Sequence, residues 1–273
     1  MPVSNKYFFY ELAVQSPHIQ VEHFQKVYRD LHEGRFARHF REDFCGTFRL
    51  SHAWVSRNLR NTALGLDLDP EPIAYGKRNH YRKLSREQKN RLEILRQDVR
   101  TVTRYKADFI AACNFSFCIF KKREDLVTYF RAAHRSLRPG GLLFTEVAGG
   151  PGMINPIRER KTVRLSDQVK GPKFAYVWHQ RSFDPINNNG KYAIHFELPT
   201  GQKLKNAFTY DWRLWNIPEI RDAMMDAGFD QTQVYWESTH KGEGTGEFVR
   251  TEKGGNDYSW IAYVVGMKKP QAK

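Results

Sequence analysis

From about residue 38 the chain alternates short apolar runs with amphipathic stretches, which restricts it to a layered α/β fold built on parallel strands. A first strand ends near Glu42-Asp43-Phe44 and turns through Cys45-Gly46-Thr47 into a helix reaching Trp54. Residues 63–67 read as a second strand. Asp69 then caps a helix that starts with Pro70 and carries Ile73, Tyr81 and Leu84 near one face. Residues 92–95 are a third strand, followed by Gln97-Asp98-Val99. Residues 108–115 are a fourth, with the nearly unbroken apolar character of a buried parallel strand. Residues 124–137 are the clearest helix, with Leu126, Phe130, Ala133 and Leu137 on one face and acids in the first turn. A fifth strand, 142–147, follows Pro139-Gly140-Gly141. Asn216 and Glu219 form a capping box for a helix that Gly228 stops, and 233–236 and 260–266 close the chain as strands.

Two segments stand outside this pattern. Residues 19–33 read as a helix, with Val21, Phe24, Tyr28 and Leu31 at 3–4 spacing and Gly34 as a stop. Ahead of it, Tyr7-Phe8-Phe9-Tyr10 is an aromatic cluster outside any periodic element, and Tyr10 with Glu11 is a candidate lid. Residues 173–212 break the alternation with two strand-like runs, 174–178 and 192–196, around the turn signal Asn187-Asn188-Asn189-Gly190. An antiparallel insertion there would cover the C-terminal edge of the sheet, where open α/β folds bind ligands. The expected organisation is a cap segment, 1–37, and one domain, 38–273, carrying an inserted β-hairpin lid at 173–212.

Charge and cysteine content narrow the classes further. Lys and Arg number 44 against 30 acids, a net charge of +14, which attracts nucleic acid, anionic membrane or anionic substrates. The densest basic stretch is 77–106, and apart from Tyr81 and Tyr105 no aromatic platform interleaves it, so it reads as a solvated face. The three cysteines, Cys45, Cys113 and Cys118, make no C-x-x-C pair and no zinc spacing; their odd number points to reduced thiols in a cytoplasm and no metal site. The longest apolar run is too short to span a bilayer, and the first fourteen residues do not read as a signal peptide.

Chemistry-bearing residues fall at the strand ends: Glu42 through Thr47, Asp67, Asp98, and Asn114-Phe115-Ser116. A small residue in the first turn lets backbone approach a nucleotide-like ligand, and an acid ending the second strand can accept both ribose hydroxyls. The order and spacing of Cys45-Gly46-Thr47, Gly65-Leu66-Asp67-Leu68-Asp69, Gln97-Asp98-Val99, Leu137-Arg138-Pro139-Gly140-Gly141 and Ala227-Gly228-Phe229 resemble the class I S-adenosylmethionine-dependent methyltransferases. The resemblance runs from about residue 38 to the C-terminus. It implies a Rossmann-like, doubly wound, mostly parallel seven-stranded sheet with an antiparallel C-terminal strand. It also implies S-adenosylmethionine as cofactor, held by Glu42, Cys45, Gly46, Thr47, Asp67, Leu68, Asp98, Val99, Asn114 and Phe115. Asp67 would take the ribose and Asp98 the adenine amine. The chain departs from the family pattern where Phe44 and Phe48 replace two loop glycines, and where Arg41 enters a buried strand end.

Candidate substrate-facing residues lie in the insertion: Trp178, His179, Arg181, His195, Tyr210, Trp212, Arg213 and Trp215, with His195, His179 and Tyr210 as candidates for proton handling. The expected reaction is in-line transfer of a sulfonium methyl group to a nucleophile on a small molecule. An RNA methyltransferase or a non-catalytic RNA-binding module on the same fold is the alternative. A nicotinamide-dependent oxidoreductase is a third reading, opposed by the absence of Gly-x-Gly-x-x-Gly.

Overall fold

The computed structural model describes residues 6–163, 173–240 and 243–270. Two helices come first, α1 (Lys6–Val14) and α2 (Pro17–Leu31). The alternation then runs β1 (His39–Asp43), α3 (Arg49–Arg57), β2 (Thr62–Asp67), α4 (Pro70–Asn79), the short α5 (Arg86–Lys89), β3 (Leu92–Arg96), β4 (Ala107–Ala112), α6 (Arg123–Ser136) and β5 (Leu137–Gly149). Four strands follow, β6 (Ile157–Val163), β7 (Phe174–Asp184), β8 (Asn189–Glu197) and β9 (Lys203–Arg213). The chain closes with α7 (Ile217–Asp226), β10 (Gln231–His240), β11 (Glu243–Arg250) and β12 (Trp260–Met267).

The main sheet has the order β11-β10-β12-β5-β4-β1-β2-β3. β3, β2, β1, β4 and β5 are parallel, and β12, β10 and β11 continue the sheet antiparallel. The sheet has the expected doubly wound order with an eighth strand, β11, beyond the expected seven. Alternation along each strand divides the core between two faces. Leu64, Leu66, Ile110, Ala112 and Leu143 pack against α6 and α7; Ala63, Phe109, Ala111, Leu142 and Phe144 pack against α2 and α3. On the second face Trp54 meets Phe109 edge-on at 5.0 Å and Phe24 meets Phe144 at 4.7 Å; each such ring is worth roughly 1.5–3 kcal/mol on burial.

The inserted segment is larger than a hairpin. β6, β7, β8 and β9 make a four-stranded antiparallel sheet, so it begins at Ile157 rather than near 173. The exposed, charge-rich β6 (Ile-Arg-Glu-Arg-Lys-Thr-Val) hides its strand character behind alternation that is polar on both faces. The aromatic cluster at the N-terminus is also a regular element, α1. Tyr7 and Phe9 are both buried although two residues apart, because this helix is covered on more than one side and has no single apolar stripe to detect. The fourth strand ends at Ala112, three residues short of expectation, because Asn114 and Phe115 take left-handed backbone angles (φ 54° and 56°) that no strand continues. The helix after Asp69 stops at Asn79, so Tyr81 and Leu84 belong to the turns that follow.

Candidate functional site

The C-terminal ends of β1, β2 and β4 open into one cavity of about 260 Å³. Glu42, Cys45, Gly46, Thr47, Asp67 and Asn114 line it, as does Tyr210 of β9. α1 contributes Tyr7 and Tyr10, and the start of α2 contributes Pro17 and Gln20. The small sheet therefore stands on the side of the strand C-termini, with Phe208 and Tyr210 facing the cavity.

The loop after β1 is built from backbone angles that favour glycine, yet only one of its three left-handed residues is glycine. Phe44, Gly46 and Phe48 have φ of 54°, 52° and 50°. The two phenylalanines stand where the family pattern has glycines, and packing holds them there. Phe48 is fully buried, and the Phe44 ring meets Phe120 and Tyr129 at 5.9 and 5.7 Å. The Cys45 N–H donates to the Leu66 carbonyl at 2.9 Å and ties the loop to β2. The Gly46 N–H donates to Asp67 Oδ2 at 2.7 Å, and Asp67 Oδ1 accepts from the Asp69 N–H at 2.9 Å. Asp69 caps α4 by accepting from the Glu71 N–H, as its place before Pro70 predicts.

Two acids end β1 and point to opposite faces. Glu42 accepts from the Ser51 N–H at 2.7 Å in the first turn of α3, whose own cap residue, Phe48, has no side-chain acceptor. Burial pushes its carboxyl up to about 7, against the lowering effect of those helix N–H bonds. Asp43 takes Arg41 Nε at 2.6 Å and the Tyr129 hydroxyl at 3.0 Å, all three buried. Arg41 also donates to the Val99 carbonyl at 2.7 Å, so this ion pair anchors the loop after β3. The odd arginine of the strand end is thereby accounted for.

α1 is clamped across the cavity. Glu11 accepts from the Thr47 hydroxyl at 2.6 Å and from His80 Nε2 at 2.7 Å. On its other side Phe9 packs against Phe174 and Phe196 of the small sheet, at 4.9 and 5.6 Å. Lys6 is the one cation lining the cavity among the described residues. It lies over the Tyr7 and Phe208 rings and pairs with Glu71.

Other sequence candidates lie elsewhere. Leu68 is exposed, and Val99 is buried beneath the wall. Asp98 is forked by Arg100, with Nη2 at 2.8 Å, which holds its carboxyl below the usual range. Phe115 packs edge-on to Trp212 at 6.1 Å. His179 and His195 occupy the face of the small sheet opposite to Trp178, Tyr192 and Tyr210, and do not line the cavity. His195 Nδ1 accepts from the Asn206 N–H, so its Nε2–H donates to His179 Nδ1 at 3.4 Å. Burial pushes the thiols of Cys45 and Cys113 up, away from nucleophilic reactivity at neutral pH. Asp43 and Ser116, at strand ends that the sequence marked, also line the cavity; sequence reasoning missed Tyr7, Gln15, Gln20 and Phe208 as cavity residues. Of these, only the N-terminal aromatic cluster left a trace in the sequence.

Residues 44–145 match the family model described as a methyltransferase domain. Over that stretch the chain is similar to methyltransferase domains, in keeping with its resemblance to the class I, S-adenosylmethionine-dependent family. Solved structures share its fold over nearly the whole length. The DesVI structure from Streptomyces venezuelae is 18% identical with a TM-score of 0.70, covering 98% of this chain and 99% of its own. CalS10, an amino pentose methyltransferase from Micromonospora echinaspora solved with S-adenosylmethionine, is 16% identical with a TM-score of 0.66 over 94% of this chain and 95% of its own. The sugar N-methyltransferase KedS8 from Streptoalloteichus is 18% identical with a TM-score of 0.63 over 96% and 92%. No curated protein matches this chain in sequence.

The cavity fits the cofactor of that family. Asp67 stands at the end of β2 beside a glycine whose Cα faces open space. Gln15, which lines the cavity, carries a buried side-chain oxygen with no hydrogen-bond partner, a group that a polar ligand would satisfy. Among the described residues no helix is long and apolar enough to cross a membrane.

Proposed function

We propose that the chain is an S-adenosylmethionine-dependent methyltransferase that methylates a small molecule. The observation that carries this reading is the character of the cavity. In a protein of net charge +14, it is lined by Asp67 and Asp69, by Glu42 with its raised carboxyl, by Asp43, which the buried Arg41 balances, and by one cation, Lys6. Such a lining disfavours phosphate-rich acceptors and favours neutral or cationic ones. The basic residues Lys77, Arg78, Arg82, Lys83 and Arg86 are exposed on α4 and the turns that lead to the edge strand β3, and none lines the cavity. Structural neighbours whose names specify amino sugars or sugar nitrogen support an acceptor of that size.

In this reading Asp67 accepts the ribose hydroxyls, and the Gly46 turn admits the methionine part against backbone. Asp98, which stands outside the cavity lining, would take the adenine amine by exchanging its bonds to Arg100. The bound cofactor supplies a methyl group on a positively charged sulfur. The chain itself must hold the acceptor in line, exclude water and accept a proton where the acceptor releases one. α1 and the small sheet exclude water, and Tyr10 and Tyr210 offer hydroxyls to the acceptor. Residues 1–37 then act as a cap on the catalytic domain.

Calorimetric titration with S-adenosylmethionine, S-adenosylhomocysteine and NAD tests the reading. Binding of the first two and not the third is expected; binding of NAD alone would replace methyl transfer by hydride transfer. Methyl transfer to folded RNA, and not to amino sugars, would return the acceptor to nucleic acid.

A further inference from the structure

We infer that Glu146 is the built-in counter-charge for a cationic centre of the ligand in this cavity, a role that rests on the methyltransferase reading above. Glu146 lies in β5, one residue beyond the Ala112–Thr145 register pair that ends the β4 ladder. Its side chain is buried. Oε2 accepts from the Asn114 N–H, and Oε1 accepts from the Tyr263 hydroxyl at 3.1 Å. Tyr263 in turn accepts from the side-chain amide of Gln20 at 3.3 Å. Every one of these donors is neutral.

Of the other acids at the strand ends, only Asp43 is met by a cation, Arg41; Glu42 and Asp67 are met by backbone N–H groups. Glu146 makes no ion pair with Lys, Arg or His among the described residues. The titratable groups around it bring no positive charge: Tyr263 from β12, Cys113 from β4, Tyr10 from α1, and Glu237 from β10, whose carboxylate repels it. His23 of α2 stacks on Tyr263 at 5.5 Å, and its own burial lowers it to about 4, so it is neutral at pH 7. Burial pushes the Glu146 carboxyl up to about 7.

The position of this uncompensated carboxylate gives it a use. Asn114, Cys113, Tyr10 and Gln20 all line the cavity, and each is coupled to Glu146 directly or through Tyr263. Glu146 thus stands immediately behind the cavity wall, in surroundings of low polarizability where its field reaches the cavity little screened. A buried carboxylate without a cation is costly, and a cation arriving with the ligand removes that cost. The ligand of the proposed reaction has such a cation before methyl transfer and lacks it afterwards. Glu146 then separates the charged reactant from its neutral product.

The test is binding, independent of any acceptor. Dissociation constants of S-adenosylmethionine and S-adenosylhomocysteine are measured by calorimetry between pH 6 and 8. The wild-type preference for the charged ligand is expected to grow with pH as Glu146 ionises. In Glu146→Gln the preference should fall roughly tenfold and become flat with pH, the scale of one screened charge contact. Tyr263→Phe keeps the charge and should keep the preference. Should Glu146→Gln fail to fold, the wild type still decides: at pH 6.5, in two buffers of different ionisation enthalpy, the charged ligand should release more protons than the neutral one. Equal proton release with a pH-independent preference would overturn the inference while leaving the methyltransferase reading intact. Failure of both ligands to bind would overturn that reading, and this inference with it.

Discussion

The ring of Phe48 occupies the space that a side chain at Gly76 would need. A Cβ at Gly76 would stand 2.4 Å from Phe48 Cε1 and 2.6 Å from the Thr47 carbonyl oxygen. The bulky residue that replaces a loop glycine after β1 is thus accommodated by a glycine in α4. Gly76→Ala should push on backbone of the cavity-lining loop as well as on the ring. A loss of roughly 1–3 kcal/mol in denaturant unfolding is expected, together with weaker cofactor binding. Phe48→Gly should relieve the left-handed strain yet lose stability overall, since the cavity left by a buried ring costs more than the backbone gains.

Asp67 holds two backbone N–H groups of the loops it joins and faces the cavity between them. Asp67→Ala should weaken S-adenosylmethionine binding by roughly 1.5–3 kcal/mol, the cost of losing a charged acceptor for two donors. Calorimetry of the mutant at wild-type affinity would remove Asp67 from the ribose site.

Arg41 and Asp43 form a pair with both side chains fully buried. Arg41→Met leaves Asp43 buried without its cation and should cost roughly 3–5 kcal/mol in urea unfolding. The double change Arg41→Met with Asp43→Leu should recover much of that loss, because no unpaired charge remains. If the single and double variants were equally unstable, the pair would matter through Val99 and the loop after β3 rather than through charge.

Glu42 makes stability depend on pH in a direction opposite to the usual surface acid. Its folded pKa, about 7, lies above its ordinary value of 4.5, so the folded state binds more protons than the unfolded chain between those values. Its contribution is therefore fully present below about pH 4.5 and is lost as pH rises through 7. Against Glu42→Gln as reference, the wild type should lose roughly 1–3 kcal/mol between pH 5 and pH 8. Melting curves of the two proteins across that range give the difference directly, and a constant difference would place the carboxyl in an ordinary environment.

Glu11 is the acidic clasp of α1 on the rest of the chain, through Thr47 and His80. Glu11→Ala should raise hydrogen exchange throughout α1 while leaving α6 protected. Exchange in α1 unchanged from wild type would assign its placement to Phe9 and the small sheet alone.

Strands and helices whose periodicity faces one core were legible in the sequence: α6 by its apolar stripe, α4 by Asp69 and Pro70, and α7 by the Asn216–Glu219 box. Asp67 and Gly46 were legible as cavity residues because a strand end and its turn are set by local chemistry. α1 and β6 were not legible, the first because burial on several sides erases a helical stripe, the second because its exposed charges mask the strand period. Asp98 is at the expected turn, but its bonds to Arg100 depend on side-chain geometry that spacing does not carry. His179 and His195 shared a strand pair with cavity-facing residues, yet a shift of one position puts them on the other face.

The loop after β1 has a kinetic consequence. A glycine-rich turn can breathe by itself, since its residues cross φ space at little cost. Here the same backbone path is wedged open by the rings of Phe44 and Phe48, which are embedded in the packing on the two faces of the sheet. The loop cannot relax without extracting those rings. Its amides, from Cys45 to Phe48, should therefore exchange with solvent only through the opening that unfolds the surrounding core, making a cavity-lining turn one of the slowest-exchanging parts of the molecule.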